Sequence, residues 1–418
     1  MEAPARDQDP LYVGREGGEL APEEPRTEGV RLPPAFEDFS IVLGGPLYDC
    51  FLRIGLLRFG LPNTLRRTVA LVSITWLPLL ILSLKDGYAF GHQVKIPLLY
   101  DYSMYGRFLL GMPLLILAEI VIDPAIRRSV LEFVQSGIVK ADGIQEFEAV
   151  LKRVQRLRDA ALPEIVLLVL AFFPVFLFQH EWKGGAVSSW HTTVRGLTTA
   201  GWWYATFSAP VVRFITYRWG YRYFVWSTLL WRIGHVKLHL MPTHPDHAAG
   251  LDFLSMGQRR FGILFCALGC SFAGRVGNSM VFEGASLSSY KGLMLGFVVL
   301  SVLVGLIPLT LLAPTLARVR RAGLLEYGKL ANQYTQSFDH KWVHVQQPPS
   351  EPLLGSGDIQ SLADLGNSYA NIREMDIAPI SRKLVMQLAV QSALPLIPVI
   401  VLGTPLPQLV NAIVKMAL

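Results

Sequence analysis

The sequence is poor in charge: Asp, Glu, Lys and Arg make up 17% of its 418 residues, against roughly 25% in an ordinary soluble protein. Cysteine is scarce as well. Cys50, Cys266 and Cys270 are odd in number and unrelated in spacing, and the last two sit in an apolar stretch, which excludes a disulfide framework or a zinc knuckle. Catalytic signatures are missing: there is no P-loop, no GxSxG, no HExxH, and no GxGxxG in a strand-to-helix setting. Nor is there one basic tract. The net charge of +6 comes from Lys and Arg gathered at the ends of apolar runs, which is the pattern of the positive-inside bias and not of a nucleic-acid surface.

What is present is apolar surface. Hydrophobic residues account for 51% of the chain and the mean hydropathy is +0.37, which over this length means lipid-facing surface and not an oversized core. The expected fold class is therefore all-α, a multi-pass transmembrane helical bundle whose first partner is the lipid bilayer. Apolar runs occur at 69–84, 108–122, 160–178, 197–217, 261–282, 292–317 and 384–402. Seven spans is the count these runs support best, with six and eight as alternatives, because several fall short of the ~20 residues that cross the hydrocarbon.

Ahead of the runs, residues 1–38 are acidic and Pro-rich, with no apolar stretch following a basic start, and read as a disordered tail. The region 39–68 contains PLYDCFLRIGLLRFGL at 46–61, whose Leu47, Phe51 and Ile54 recur at helical spacing and predict an interfacial helix. Residues 69–418 then form the membrane domain.

Loop charge orients it. The connection 123–159 carries Arg127, Arg128, Lys140, Lys152, Arg153, Arg156 and Arg158, and the connection 318–383 carries Arg318, Arg320, Arg321, Arg382 and Lys383. Two alternate connections hold little positive charge, Lys183 and Arg195 in one and Lys291 in the other, so the basic connections and the N-terminus are expected in the cytoplasm, with the first external connection, holding Lys85, Lys95 and Arg107, fitting this pattern least. Two basic connections carry helical patterns. Ile144, Phe147, Leu151, Val154 and Leu157 form an apolar stripe beside an i, i+4 pair of Glu148 and Lys152, predicting a helix that runs straight into the third span. Ile359, Leu362 and Leu365 share a face of a second helix, which Gly366-Asn367 is expected to end.

GGPLY at 44–48, TWLPLL at 75–80, PTHPDHAAGL at 242–251, GDIQSLADLGNSY at 357–369 and REM at 373–375 together resemble a family of uncharacterised bacterial multi-pass membrane proteins. Ala249 and Asp252 stand where the form associated with that family has glycine. The resemblance implies a bacterial inner-membrane location and supplies no activity, cofactor or site residues.

Three sets of residues are candidates for function. The stretch 202–232 interleaves aromatics with Arg213, Arg218, Arg222 and Arg232; next to a span this marks a headgroup belt with snorkelling arginines, the alternative being a surface for anionic ligands. A helix over 197–238 would reach roughly 60 Å, so it must leave the membrane or bend near Gly220. His235, His239, His244, Asp246 and His247 place N and O donors within a short span, fitting either a transition metal or a turn whose His244 and Asp246 cap backbone groups. Glu119, Arg275 and Asn278 lie inside apolar runs, where an ionised group facing lipid costs several kcal/mol. Glu119 and Arg275 are thus expected to face the interior as a candidate pair, with Glu164 at the interface. No cofactor is identifiable. Three functions fit: an oligomeric channel or small-solute pathway lined by Glu119, Arg275 and Asn278, a membrane metalloenzyme using the histidines, or a scaffold for a protein partner.

Overall fold

The computed structural model describes residues 36, 39–46, 61–177, 188–193, 196–344, 352 and 355–404. The tail 1–35, most of the expected interfacial helix at 47–60, and Lys183 and Arg195 lie outside them. Apart from a short hairpin pairing Thr192–Thr193 with Gly196–Leu197, its regular structure is helical. In chain order the helices are α1 (Leu61–Lys85), α2 (Tyr102–Gln135), α3 (Ile144–Arg158), α4 (Ala161–Leu177), α5 (199–233), α6 (Phe253–Phe282), α7 (Leu287–Thr310), α8 (Ala313–Phe338), α9 (Gly357–Glu374) and α10 (Arg382–Gly403).

Five of these, α1 from Thr64, α2, α6, α7 and α10, are long and apolar enough to cross a membrane. The seven-span count is not reproduced at this level. α4 has 17 residues, and α5 carries four arginines within an otherwise aromatic helix. Exposed Leu162, Ile165, Val169 and Phe173 on α4, like Leu293, Leu300 and Leu303 on α7, show side chains that only an apolar surrounding accommodates at such density.

Hydrogen bonds group the connections at two ends. At one, Trp190 N donates to the Ile96 carbonyl at 2.9 Å and Tyr102 N donates to Asn278 Oδ1 at 2.8 Å, uniting 86–101, 188–198 and the end of α6. At the other, His239 N donates to the Ile138 carbonyl at 2.8 Å and Asp376 N to the His247 carbonyl at 2.8 Å. The first is the Asp101 end of the bundle and the second the Arg158 end.

Helix starts follow local chemistry. Asp101 caps α2 by accepting from Ser103 N and Met104 N, and Thr198 caps α5 by accepting from Gly201 N. α2 and α6 approach closely because their facing positions lack side chains: a Cβ on Gly111 would stand 3.0 Å from the Ala267 carbonyl oxygen, and one on Gly274 2.5 Å from that of Tyr102.

α5 runs through Gly220 as continuous helix, with a π turn at Tyr204–Ser208 matched by one at Tyr105–Gly111 in α2. Three sequence expectations are corrected. The apolar run 292–317 is two helices, since Pro314, which brings no N–H, opens α8 after the break at Leu311-Leu312. α3 stops at Arg158 and a new helix starts at Ala161, with Pro163 in its first turn. α9 passes through Gly366-Asn367 to Glu374, because Ile372 beyond them is fully buried against α8, and that packing outweighs the ~1 kcal/mol cost of a mid-helix glycine.

Candidate functional site

The most connected polar site lies toward the Arg158 end and is centred on Glu119. One turn of α2 later comes Asp123, and both carboxylates face inward. Arg222 of α5 donates from Nη1 to Glu119 Oε1 at 3.0 Å, and Arg67 of α1 pairs with Glu119 Oε2. One turn before Arg222, Arg218 meets Glu164 of α4 at 3.3 Å. Four helices are thereby joined by charge. Inside a bundle such pairs contribute little net stability, yet stranding one member is costly, so they specify which helices sit together.

A strap formed by residues 39–46 is threaded into this cluster. Ser40 Oγ donates to Asp123 Oδ1 at 2.6 Å, and Ile41 N and Val42 N donate to the same oxygen at 3.2 and 3.3 Å. The strap's carbonyls are taken by arginines: Arg158 Nη1 donates to Ser40 O at 2.6 Å and Arg222 Nη2 to Val42 O at 3.1 Å. Phe36, Phe39, Ile41 and Val42 are buried, with Phe36 stacked on Phe147 of α3 at 5.5 Å. Gly44 and Gly45 are both at positive φ, and a Cβ would stand 2.6 Å from the Arg158 guanidinium carbon at the first and 3.1 Å from Glu164 Oε1 at the second, so the strap passes close against those side chains. Phe39, Ile41 and Val42 give the strap its apolar burial, and the polar anchors to Asp123, Arg158 and Arg222 fix where it docks.

A second polar cluster occupies the Asp101 end. Asp101 accepts from Ser103 Oγ and Asn278 Nδ2 on one oxygen and from Trp190 Nε1 at 2.8 Å on the other. Arg107, in the π turn of α2, donates to the Tyr204 hydroxyl at the π turn of α5, and Ser189 Oγ meets His191 Nδ1. The His191 ring lies 5.0 Å from that of Trp190 and 5.9 Å from that of Tyr204. Burial pushes its pKa down to about 4, against the Asp101 carboxylate and helped by Arg107. Between the clusters, Phe108, Met112, Leu115 and Ile116 of α2 form a buried apolar layer. A shallow pocket of about 290 Å³, lined by Gly277, Met280, Ser286, Leu287 and Leu402 among others, opens at this end and has no titratable group in its wall.

The structure separates the candidates read from sequence. Glu119 and Asn278 are in the interior, one in each cluster. Arg275 is not paired with Glu119: it lies on the exposed face of α6, and among the described residues no carboxylate stands within ion-pair distance of it. Glu164, expected at the interface, is buried. Arg218 and Arg222 turn inward to carboxylates and do not snorkel, while Trp202, Phe224 and Trp231 remain exposed.

The histidines are dispersed. His235 Nδ1 faces the Trp231 carbonyl at 2.7 Å, His239 bonds through its backbone, and only His244 lies beside Asp246, at 2.7 Å. Asp246 instead organises the turn, accepting from Ala248 N, Gly250 N and Asp252 N while His247 and Ala249 hold positive φ. Partial burial raises the Asp246 carboxyl, but these N–H groups and His244 outweigh it and hold it below the usual range. Among the described residues no three His, Cys, Asp or Glu side chains stand close enough to hold a metal.

Sequence reasoning missed Arg67, Asp101, Asp123 and the strap. The signal for the last was GGPLY, whose paired glycines mark a backbone approaching another closely. No family model, curated protein or solved structure matches the chain.

Proposed function

We propose that the chain is a membrane pathway for a small polar solute, seen closed, with seven crossings and its N-terminus in the cytoplasm of a bacterial cell. α4 and α5 supply the crossings beyond the five apolar helices. The alternation of the connections between the two ends supports this count, as does the crowding of Arg and Lys at the Arg158 end. The observation that carries the pathway reading is the pair of buried polar clusters on α2, one toward each end, separated by an apolar layer. Ionised groups are kept inside a membrane bundle at a cost, and two π turns linked by Arg107 and Tyr204 mark the segment where both helices depart from regular geometry. In this reading the pairs of Glu119 with Arg67 and Arg222 are the inner gate, and the apolar layer is the barrier behind it.

The test is osmotic swelling of liposomes holding the purified protein, with a panel of small neutral and charged osmolytes. Glu119→Ala removes the shared carboxylate and is expected to raise permeability above that of the wild type. Equal swelling of empty, wild-type and E119A liposomes for every osmolyte would sink the pathway.

A second reading has its own support. From Leu324 to His344 no residue is fully buried, and α8 with α9 forms an arm beyond the Arg158 end, pinned by Asp358 to Lys341 and Trp342. Such an arm suits a scaffold, and deleting 326–370 while osmolyte swelling stays unchanged would separate the two roles.

A further inference from the structure

The geometry points to the strap 39–46 as a removable inner plug, latched by Asp123 and covering the Glu119 cluster from the cytoplasmic side. The inference goes beyond the pathway reading, since a plug can undock whether or not a solute passes.

Three features distinguish the strap within the core it joins. Its hydrogen bonds to other elements are made with side chains and not with their backbone: Ser40 and the N–H groups of Ile41 and Val42 converge on Asp123, while Arg158 and Arg222 take its carbonyls. Asp123 is committed to the strap alone among these bonds, whereas Arg222 is shared, donating to Val42 O from one nitrogen and to Glu119 from another. Withdrawal of the strap therefore leaves Glu119 with both arginines while giving Arg222 and Asp123 vacant hydrogen-bonding positions that water can fill. The paired glycines supply the third feature. They allow the chain to pass against Arg158, Asp159 and Glu164 without a side chain wedged between them, and undocking withdraws Phe39, Ile41 and Val42 from the core. The charged groups facing Asp123 and the strap are Arg158 of α3, Arg222 of α5 and Arg127 on α2 itself; Asp159 and Glu164 face the two glycines.

The experiment uses the full chain in inside-out vesicles, with Cys50, Cys266 and Cys270 replaced by alanine and a single reporter thiol added. Val42→Cys reports on the strap, and Val225→Cys, fully buried in α5, reports on the bundle. A membrane-impermeant maleimide is applied with and without Asp123→Asn. The expected result is slow labelling at 42 in the parent, an increase of about tenfold or more with D123N, and no labelling at 225 in either, because local opening exposes the strap and not the helices. No change at position 42 overturns the proposal, since Asp123 is then no latch. Labelling at both positions overturns it too, because Asp123 then supports the whole bundle. Absence of osmolyte flux in D123N that labels only at position 42 would refute the pathway and leave the plug standing.

Discussion

Arg222 and Glu119 face each other across the α5–α2 interface at 3.0 Å, and the same guanidinium reaches the backbone carbonyl of Val42. One side chain thus ties a helix pair to the strap that covers it. Its ring partner is Trp219, over which the guanidinium sits at 4.9 Å, so Arg222 is held by charge, by a carbonyl and by a π face at once.

That arrangement makes the costs of substitution unequal. Glu119→Leu strands two arginines and is expected to destabilise by ~3–5 kcal/mol, the range for breaking a buried pair. Arg222→Leu leaves Glu119 with Arg67 and costs less. The double variant is expected to be no worse than E119L alone, because the cation left uncompensated is then only the partly exposed Arg67. Thermal unfolding in detergent reads all three. Strictly additive losses would mean that Glu119 and Arg222 are not energetically coupled.

The membrane class was legible from composition, because apolar runs of this number have no other use, and so were most helix positions. Depth and partnership were not. Glu119 was identifiable as a buried charge from the run around it, but Arg275 looked its equal only because sequence shows depth along a helix and not the direction of a side chain around it. Arg222 was hidden among aromatics that predicted a headgroup belt. The strap was invisible for a further reason: it is neither helical nor periodic, and its burial depends on Asp123 and Arg222, about 80 and 180 residues away. For the histidines the sequence left a metal and a capping turn open, and spacing alone cannot choose between them, since the choice depends on Asp246 turning to the N–H groups of Ala248, Gly250 and Asp252.

His191 should make the Asp101 end sensitive to acid. Its folded pKa is lowered from 6.5 to about 4 by burial, so the unfolded chain binds the extra proton more readily between those values. Stability from this group is complete above pH 6.5 and declines as the pH falls toward 4. Melting temperatures measured from pH 7.5 to 4.5 are expected to fall less steeply for His191→Gln than for the wild type over this window. Superimposable profiles would show that the ring is already wet enough to protonate without cost.

The topology follows from where the connections meet. Lys95 is exposed on the 86–101 connection, whose neighbour Ile96 is bonded by Trp190, and Lys291 is exposed at the start of α7, just past the α6 end that Asn278 ties to Tyr102. Lys152 is exposed on α3 and Lys329 on α8, both at the end where Arg and Lys are concentrated. Cysteines placed singly at these positions in a cysteine-free chain are expected to fall into two classes in intact cells: 95 and 291 labelled by impermeant reagent from outside, 152 and 329 only after the membrane is opened. The pairing matters more than the absolute side. An exchange of both classes would invert the protein, with the charge bias overruled. Labelling of 95 and 152 from the same side would instead remove a crossing between them, and since only α2 joins those two connections, it would mean that α2 turns back within the membrane and that the clusters around Asp101 and Glu119 face one compartment.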